Sequence, residues 1–413
     1  MNIYLIIILA AILVEYVIDL VANHLNLKNL KTTLPGEFED VFDEVKYAKS
    51  QHYTRETTKF SNIQSTFMVI VKILFILLGG FNLIDMIARG AGVGNILTGL
   101  IFFAILLLLQ EVVSIPFSAY STFVIEEKFG FNKTSAKTFV MDIIKSLLLS
   151  IILGSIILAV ILLFFQKLGD FAWVYAWLIV VLFSFLIQYL APKLILPLFN
   201  KFTPLQDDEL KQKIRNYVRQ QGFKLKGIFT IDGSRRTTKM NAYFTGFGKY
   251  KRVAFYDTLQ EKLSNNEILA VLGHEIGHYK LKHILKSIVI SIFTTGITFF
   301  LLSLFIKNPQ LFAAFRMEHL SIYASIVFFG FLLAPLQILL TPFSNYLSRK
   351  HEYAADEFAV ETIDEPVAMK TALKKLSVNN LSNLTPHRFY VFLNYSHPPV
   401  LKRIKNIEKT LGK

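Results

Sequence analysis

The chain has 413 residues, 53% of them hydrophobic and 14% aromatic, with a formal net charge of +14 and no cysteine. The apolar fraction is higher than in ordinary soluble domains and includes uninterrupted apolar runs, which excludes a soluble globular protein. Without cysteine there is no disulfide framework and no thiolate ligand. No nucleic-acid-binding signature accompanies the charge, so we expect no nucleic-acid partner.

Seven apolar runs predict seven transmembrane helices. They cover roughly residues 2–22, 64–88, 95–119, 146–166, 171–199, 287–307 and 321–345. The first run is interpreted as a retained helix, because no basic residue precedes it and no clear cleavage site follows. Polar side chains inside the runs, such as Glu15, Asp19, Glu111 and Gln188, are costly in lipid. We therefore expect a polar interior shared by several helices.

The basic residues predict the orientation in the membrane. Lysine and arginine are concentrated after spans one and three, in the long segment after span five and in the tail. The opposite loops contain only Arg89, Lys167, Lys307 and Arg316. Because positively charged loops stay in the cytoplasm, we expect the N-terminus outside and the catalytic segment and C-terminus inside. The lack of a targeting extension and the lysine- and isoleucine-rich composition favour a prokaryotic cell membrane.

A soluble segment of about residues 200–286 separates spans five and six. Asp207 to Gln221 is predicted to form an amphipathic helix, and 228–231, 242–245 and 253–256 are predicted strands. Gly246 and Gly248 mark a turn that would pair the last two strands. We expect four units: membrane domain 1–199, soluble segment 200–286, spans six and seven at 287–345, and a helical C-terminal segment 346–413.

The sequence His274-Glu275-Ile276-Gly277-His278 carries the chemistry. On a helix the two histidines lie one turn apart on one face, so both imidazoles can bind one zinc ion. Glu275 lies beside the metal without binding it, where it can take a proton from an attacking water. Ser264 and Glu267 form a capping box that begins this helix. The alternative is that the motif is simply a polar helix face.

A third zinc ligand must come from elsewhere in the chain. His283 lies about half a turn off the required face, and Leu281 and Ile284 occupy the positions where metzincins have glycine and histidine. We expect the zinc helix to continue through those two residues into span six. The stretch 348–356 is predicted to begin another helix after span seven.

On that later helix, Glu352 and Asp356 share a face, so Glu352 is the predicted ligand. Asp356 would accept an imidazole N–H behind the site. His351, pointing about 100° away from Glu352, is the rival ligand.

These motifs together resemble the type I CAAX prenyl protease family. The resemblance rests on the zinc motif, the later Glu352-Tyr353-Ala354-Ala355-Asp356, and three further stretches: Val124 to Asn132, Asn241 to Phe244, and Ser396 to Pro399 with Arg403. It covers most of the chain in the same order.

The resemblance implies a mainly α-helical polytopic membrane protein, with seven helices forming a barrel around a chamber and a small α/β zinc-protease domain. It implies one zinc ion held by His274, His278 and Glu352, with Glu275 as general base. His397 and Arg403 map near the scissile carbonyl and the metal-site support. Asn241, Ala242, Tyr243 and Phe244 map onto a strand that pairs with the substrate.

The resemblance therefore implies a membrane zinc metalloendopeptidase whose substrates are peptides or proteins, including prenylated C-terminal peptides, in contact with the lipid bilayer. In a prokaryotic membrane prenylated substrates are not expected, so membrane-protein quality control is there the favoured role. The alternatives are an intramembrane-cleaving protease, a metal transporter and a catalytically inactive membrane scaffold. Lys280, Lys282 and Lys286 argue against a deeply buried zinc helix. The near absence of histidine from the spans argues against a transporter.

Overall fold

The computed structural model describes residues 2–223, 225–245 and 251–412, which form sixteen α-helices and four strands. The helices are α1 Ile3–Lys28, α2 Glu44–Leu77, α3 Gly80–Gly90, α4 Asn95–Tyr120, α5 Ala136–Lys167, α6 Ala172–Leu190, α7 Leu196–Phe199, α8 Asp208–Gln220, α9 Asp257–Gln260, α10 Asn265–Lys280, α11 His283–Phe305, α12 Pro309–Ala314, α13 Ile322–Thr362, α14 Val367–Asn379, α15 Arg388–Asn394 and α16 Val400–Leu411. The strands are β1 Phe202–Pro204, β2 Leu225–Ile231, β3 Ala242–Thr245 and β4 Lys251–Tyr256.

Seven helical segments are long and apolar enough to cross a membrane, which confirms the predicted number. They surround a common axis: α1 packs on α2, α2 on α4, and the ring continues through α5, α6, α11 and α13 back to α1. Only 6% to 22% of the most apolar window of each span is buried against protein. Since each helix touches its neighbours and leaves its other faces free, the spans form a barrel around a chamber.

The second span differs from its prediction. Helix α2 begins at Glu44, where the Asp43 carboxylate accepts the Lys46 backbone N–H at 2.7 Å, about twenty residues before the apolar run starts. The helix ends at Leu77, and Gly79 has a positive φ of 76° that turns the chain into α3. The prediction of one helix over 64–88 was wrong, because hydropathy detects neither a polar helical extension nor a left-handed break.

Two further helix boundaries were also wrong. The zinc helix α10 does not run into span six, because Lys282 adopts a left-handed φ of 58° between α10 and α11. No new helix begins after span seven either, since α13 runs without interruption for 41 residues. The residues that follow the apolar run favour helix as strongly as the run itself, so the expected domain boundary at 345 lies inside α13.

The small sheet lies ahead of α10 and has the strand order β1-β2-β4-β3. The three predicted strands are confirmed, with β3 antiparallel to β4 and Tyr243 opposite Ala254. Strand β1 was missed, because its three residues carry almost no periodic signal. The predicted turn at Gly246 and Gly248 lies outside the described residues. Strand β3 is at the edge of the sheet and contacts α10.

Polar contacts join the soluble part to the membrane helices. The Glu126 carboxylate accepts the Tyr53 hydroxyl at 2.5 Å and the Lys239 ammonium at 2.9 Å. Arg236 donates two hydrogen bonds to Asp142 of α5, at 2.8 and 3.0 Å. Bidentate and networked ion pairs fix orientation better than single surface pairs. The sheet is therefore held at one end of the barrel.

Candidate metal centre

Helix α10 starts as its sequence predicts. The Ser264 hydroxyl accepts the Glu267 backbone N–H at 3.3 Å, and the Glu267 carboxylate accepts the Ser264 N–H at 2.8 Å. Its apolar residues belong to a core shared with α8, α14 and the sheet. The opposite side carries His274 and His278, whose Nε2 atoms are 3.1 Å apart. The helix therefore brings the Nε2 atoms of both imidazoles close enough to bind a single metal ion.

A second helix completes the centre by packing unusually close. A Cβ added to Gly277 would lie 3.1 Å from both Cα and the carbonyl oxygen of Ala355 on α13, so glycine permits this approach of the two helices. The contact brings Glu352 against the histidines. Its Oε1 lies 3.2 Å from Nε2 of His278, and its Oε2 lies 3.4 Å from Nε2 of His274.

The donor set fits zinc. Ligand atoms about 2.0–2.1 Å from a tetrahedral ion stand about 3.3 Å apart. Here the two Nε2 atoms are 3.1 Å apart, and the two oxygens of Glu352 lie 3.2 Å from one Nε2 and 3.4 Å from the other. The Oε2 atom of Glu352 is buried without a hydrogen-bond partner among the described residues. A buried carboxylate oxygen is costly unless something compensates it, and a cation in this position does so. The chemistry of two imidazoles and one carboxylate is that of a catalytic zinc site.

Asp356 and Arg403 support the centre from behind. Asp356 is fully buried and accepts the Nδ1–H of His274 at 2.8 Å. Arg403, on α16, donates to both oxygens of Asp356 at 2.8 and 2.6 Å. Burial lowers the pKa of His274, but its hydrogen bonds to Asp356 and Glu352 raise it on balance to about 9. A zinc ion must therefore displace a proton when it binds this imidazole.

The two remaining predicted site residues are Glu275 and His397. Glu275 is half-buried on α10 between the two histidines in sequence. His397 precedes α16, and its Nε2 lies 3.4 Å from Oε1 of Glu352 while its Nδ1 lies 3.0 Å from the Ser396 hydroxyl. The His397 side chain is 63% exposed, so it remains open to a substrate.

The sequence analysis gave no role to His283. Its Nδ1 lies 3.1 Å from Nδ1 of His278, and its ring stacks on His351 with centroids 4.0 Å apart. His351, the rival ligand, thus packs on His283 and is outside the group of three donors. Both rings and Gln188 line a pocket of about 410 Å³ beside His278. The sequence placed His283 five residues after His278, a spacing that does not bring two side chains together on a continuous helix. The contact forms because Lys282 interrupts the helix between them.

The predicted substrate strand lies beside α10 as the outermost strand of the sheet. The Asn241 carbonyl accepts the Tyr256 N–H at 3.0 Å, which anchors the start of β3 to β4. Ala242 lies opposite Phe255, and the Tyr243 hydroxyl is 3.1 Å from that of Tyr256. The backbone of Phe244 pairs with Val253. Within the described part of the chain, β3 pairs on one side only.

The centre combines a His-Glu-x-x-His helix with one carboxylate from a second helix, at one end of a seven-span barrel. This combination defines a membrane-embedded zinc metalloprotease. Comparison with known families agrees. Residues 23–201 match the family described as CAAX prenyl protease N-terminal, five membrane helices, and residues 204–411 match peptidase family M48. The chain belongs to peptidase family M48 and is of the CAAX prenyl protease 1 type.

Curated relatives and a crystal structure extend over nearly the whole chain. The probable CAAX prenyl protease 1 of Schizosaccharomyces pombe is 34% identical over 395 residues, covering 92% of this chain and 83% of its own. CAAX prenyl protease 1 of Saccharomyces cerevisiae is 34% identical over 409 residues, covering 92% and 89%. The crystal structure of S. mikatae Ste24p has 32% identity and a TM-score of 0.93, covering 98% and 99%. The curated relatives named here are eukaryotic, so the expected prokaryotic source has no support from them.

The close contact between α10 and α13 generates a prediction. Gly277→Ala should destabilise the protein by about 1–2 kcal/mol, because overpacking against backbone costs more than the helix gains from alanine. Zinc should also be lost faster to a chelator. Thermal unfolding and metal analysis of the purified protein measure both effects.

Gly154→Ala is the matched control, since a Cβ at Gly154 in the middle of α5 meets nothing within 4 Å. That variant should be as stable as the parent or slightly more stable. Equal unfolding temperatures and equal zinc loss for the two variants would contradict the role given to Gly277.

Proposed function

We propose that His274, His278 and Glu352 hold the catalytic zinc ion. The observation that carries this assignment is the close grouping of two imidazole Nε2 atoms, 3.1 Å apart, with the Glu352 carboxylate. The two oxygens of that carboxylate lie 3.2 and 3.4 Å from the two Nε2 atoms, and one of them is buried without a hydrogen bond among the described residues. Zinc bound there supplies a Lewis acid that activates water and polarises a peptide carbonyl. Peptide-bond hydrolysis is the reaction that the chain's own residues then complete.

We assign the proton transfers to Glu275. It is the one residue between the two histidines that carries a titratable carboxylate, and it is partly open to solvent. The carboxylate takes a proton from the attacking water and passes it to the leaving amine. His397, exposed and adjacent to Glu352, donates a hydrogen bond where negative charge develops on the scissile carbonyl oxygen.

Asp356 and Arg403 are assigned as positioning residues. Asp356 fixes the tautomer of His274 by accepting its Nδ1–H, which leaves Nε2 free for the metal. Arg403 balances the buried charge of Asp356 through two hydrogen bonds. Asp356→Asn should weaken zinc retention without unfolding the sheet, and metal analysis of that variant tests the assignment.

Strand β3, with Asn241, Ala242, Tyr243 and Phe244, is proposed to bind the substrate backbone. Its outer edge and its contact with α10 support this role, because an extended peptide that adds a strand there would run past the metal centre. Arg403 lies behind Glu352, with its NH1 3.6 Å from Oε2 of that residue, so it would influence a substrate through Glu352 and not by direct contact. We therefore give Arg403 a supporting role and leave substrate contact to the strand.

Conservative substitutions separate catalysis from metal binding. Glu275→Gln should retain one zinc per chain but lose about 10²–10⁴-fold in hydrolysis, because the amide cannot accept the proton. His278→Ala should instead lower the zinc content itself. Metal analysis and a peptide-cleavage assay on the same detergent-purified samples measure both. No chelator-sensitive cleavage by the parent would favour the inactive-scaffold alternative, and full activity in Glu275→Gln would contradict the role given to Glu275.

We propose that the substrates include prenylated C-terminal peptides. The relatives from both yeasts are named as CAAX prenyl proteases, and this chain matches them over more than nine-tenths of its length. A chamber enclosed by membrane helices offers apolar surface for an attached isoprenoid. Quality control of membrane proteins is the second candidate, because the same chamber would admit unfolded membrane segments.

A matched pair of peptides decides between the two substrate classes. A peptide farnesylated on a cysteine near its C-terminus should be cleaved at least about tenfold more efficiently than its unprenylated twin, since the isoprenoid buries apolar area on binding. Mass spectrometry of the products gives the cleavage site and the ratio of kcat/KM. Equal efficiency for the two peptides would favour quality control.

We propose that the N-terminus lies outside, with the metal centre and the C-terminus in the cytoplasm. The loops richest in lysine and arginine follow spans one, three, five and seven, so they share the side of the membrane that carries the sheet and the metal centre. The proposed organisation is a membrane domain at 1–199, a soluble segment at 200–286, spans six and seven at 287–345 and a C-terminal part at 346–413, with α13 passing through the last boundary.

The absence of native cysteine makes the orientation easy to test. Single cysteines at Ala91, in the loop after α3, and at Lys409, near the end of α16, should react oppositely with a membrane-impermeant maleimide. On intact cells the first should be labelled and the second protected until the membrane is permeabilised. Labelling of Lys409→Cys alone in intact cells would show that the topology is the opposite of the one proposed.

A further inference from the structure

A basic pocket occupies the end of the barrel that is farthest from the metal centre. It has a volume of about 370 Å³ and lies between the ends of α3, α4, α5 and α11 and the start of α13. Its lining contains three cations, Arg89, Lys167 and Lys307, and no carboxylate. The pocket is therefore suited to an anionic group such as a phosphate.

Arg89 is held in a fixed position in this pocket. Its Nε donates to the buried Asp85 carboxylate at 2.7 Å, and its guanidinium lies 5.9 Å from the centre of the Tyr323 ring. The Tyr323 hydroxyl donates to the same carboxylate. The terminal guanidinium nitrogens make no hydrogen bond among the described residues, and neither do the ammonium groups of Lys167 and Lys307. Three donor groups thus remain for a ligand, with one of them pre-positioned.

An apolar cavity lies next to the basic pocket, between four of the helices that form it. Its volume is about 480 Å³, and residues of α4, α5, α11 and α13 line it. Gly154 and Gly330 are on its wall, and a Cβ added to either would meet nothing within 4 Å. The volume is within the range of small-molecule sites, and the lining is almost entirely hydrocarbon. Such a cavity suits an alkyl chain.

The two spaces follow one another along the helices. On α5 the basic pocket ends at Phe165, and the cavity runs from Ile161 to Ser150, so the cavity spans about 9–25 Å from Lys167 along the helix axis. The cavity itself is about 16 Å long on α5, close to the hydrocarbon thickness of one bilayer leaflet, about 15 Å. A charged pocket followed by an apolar cavity of this depth matches the headgroup and one chain of a membrane lipid.

We propose that this end of the barrel binds a phospholipid, with the phosphate in the basic pocket and one acyl chain in the apolar cavity. The site is separate from the metal centre. On α13 the deepest cavity residue, Leu333, precedes Glu352 by nineteen residues, or about 28 Å of helix. A phosphate is recognised by the arginine and the two lysines, while the chain contributes burial of hydrocarbon.

Native mass spectrometry of the zinc-loaded protein in detergent tests the proposal. Titration with dioleoylphosphatidylglycerol should show saturable binding of one lipid per chain. Dioleoylglycerol, which lacks the phosphate, and glycerol 3-phosphate, which lacks the chains, should bind at least about tenfold more weakly. Equal binding of glycerol 3-phosphate would reduce the site to a free-anion site, and equal binding of dioleoylglycerol would remove the role of the basic pocket.

Substitutions at the two ends of the site give separate readouts. Lys167→Gln and Lys307→Gln should each weaken phosphatidylglycerol binding about fivefold, because each removes one charge near the phosphate. The single substitutions Lys28→Gln and Lys31→Gln each remove one charge at the other end of the barrel and should change nothing.

Gly154→Phe and Gly330→Leu should abolish the saturable binding by filling the cavity. Ile152→Phe is the matched control, because Ile152 is on the same helix, outside the cavity lining, and 57% exposed. Zinc content and peptide cleavage serve as the check on folding for each variant. Undiminished lipid binding in both cavity variants would overturn the proposal, as would displacement of the lipid by a farnesylated peptide, which would reassign the cavity to substrate.

Discussion

Backbone contact between α10 and α13 is the constraint on which the metal centre depends. The two helices meet where Gly277 faces Ala355, and a Cβ at that glycine would lie 3.1 Å from main-chain atoms that no side-chain rotation can move. This approach places a carboxylate from one helix within 3.4 Å of imidazoles from the other. Asp356 then fixes the arrangement from behind, because its fully buried carboxylate bonds to both His274 and Arg403.

Most of the site was predictable because it rests on local rules. Helical spacing put His274 and His278 on one face, the capping box located the helix start, and the four-residue spacing of Glu352 and Asp356 gave them a common direction. The pairing of these helices across about seventy residues was inferred from the need for a third ligand, whereas the close backbone contact at Gly277 that permits it was not predicted. The neighbour of His278 was also missed, because one left-handed residue, Lys282, re-aims His283 toward it.

In the fold, too, long apolar runs were predictable from the sequence, whereas the single residues that end helices were not. Seven apolar runs predicted seven spans because lipid requires long uninterrupted hydrocarbon surfaces. Helix ends obey other rules. Gly79 and Lys282 stop helices through their positive φ angles, whereas nothing stops α13 after its apolar part. Hydropathy measures where a helix enters lipid, and it carries no information on where the hydrogen-bonded helix ends.

The length of α13 explains how a membrane span can provide a catalytic ligand. Its 41 residues extend about 60 Å, which is about twice the hydrocarbon thickness of a bilayer. Near its first turn Tyr323 bonds to the buried Asp85, and near its last turns Asp356 bonds to Arg403. A helix fixed by buried charges at both ends cannot slide or rotate freely. The Glu352 carboxylate, one turn before Asp356 on the same helix, is therefore held in place against His274 and His278.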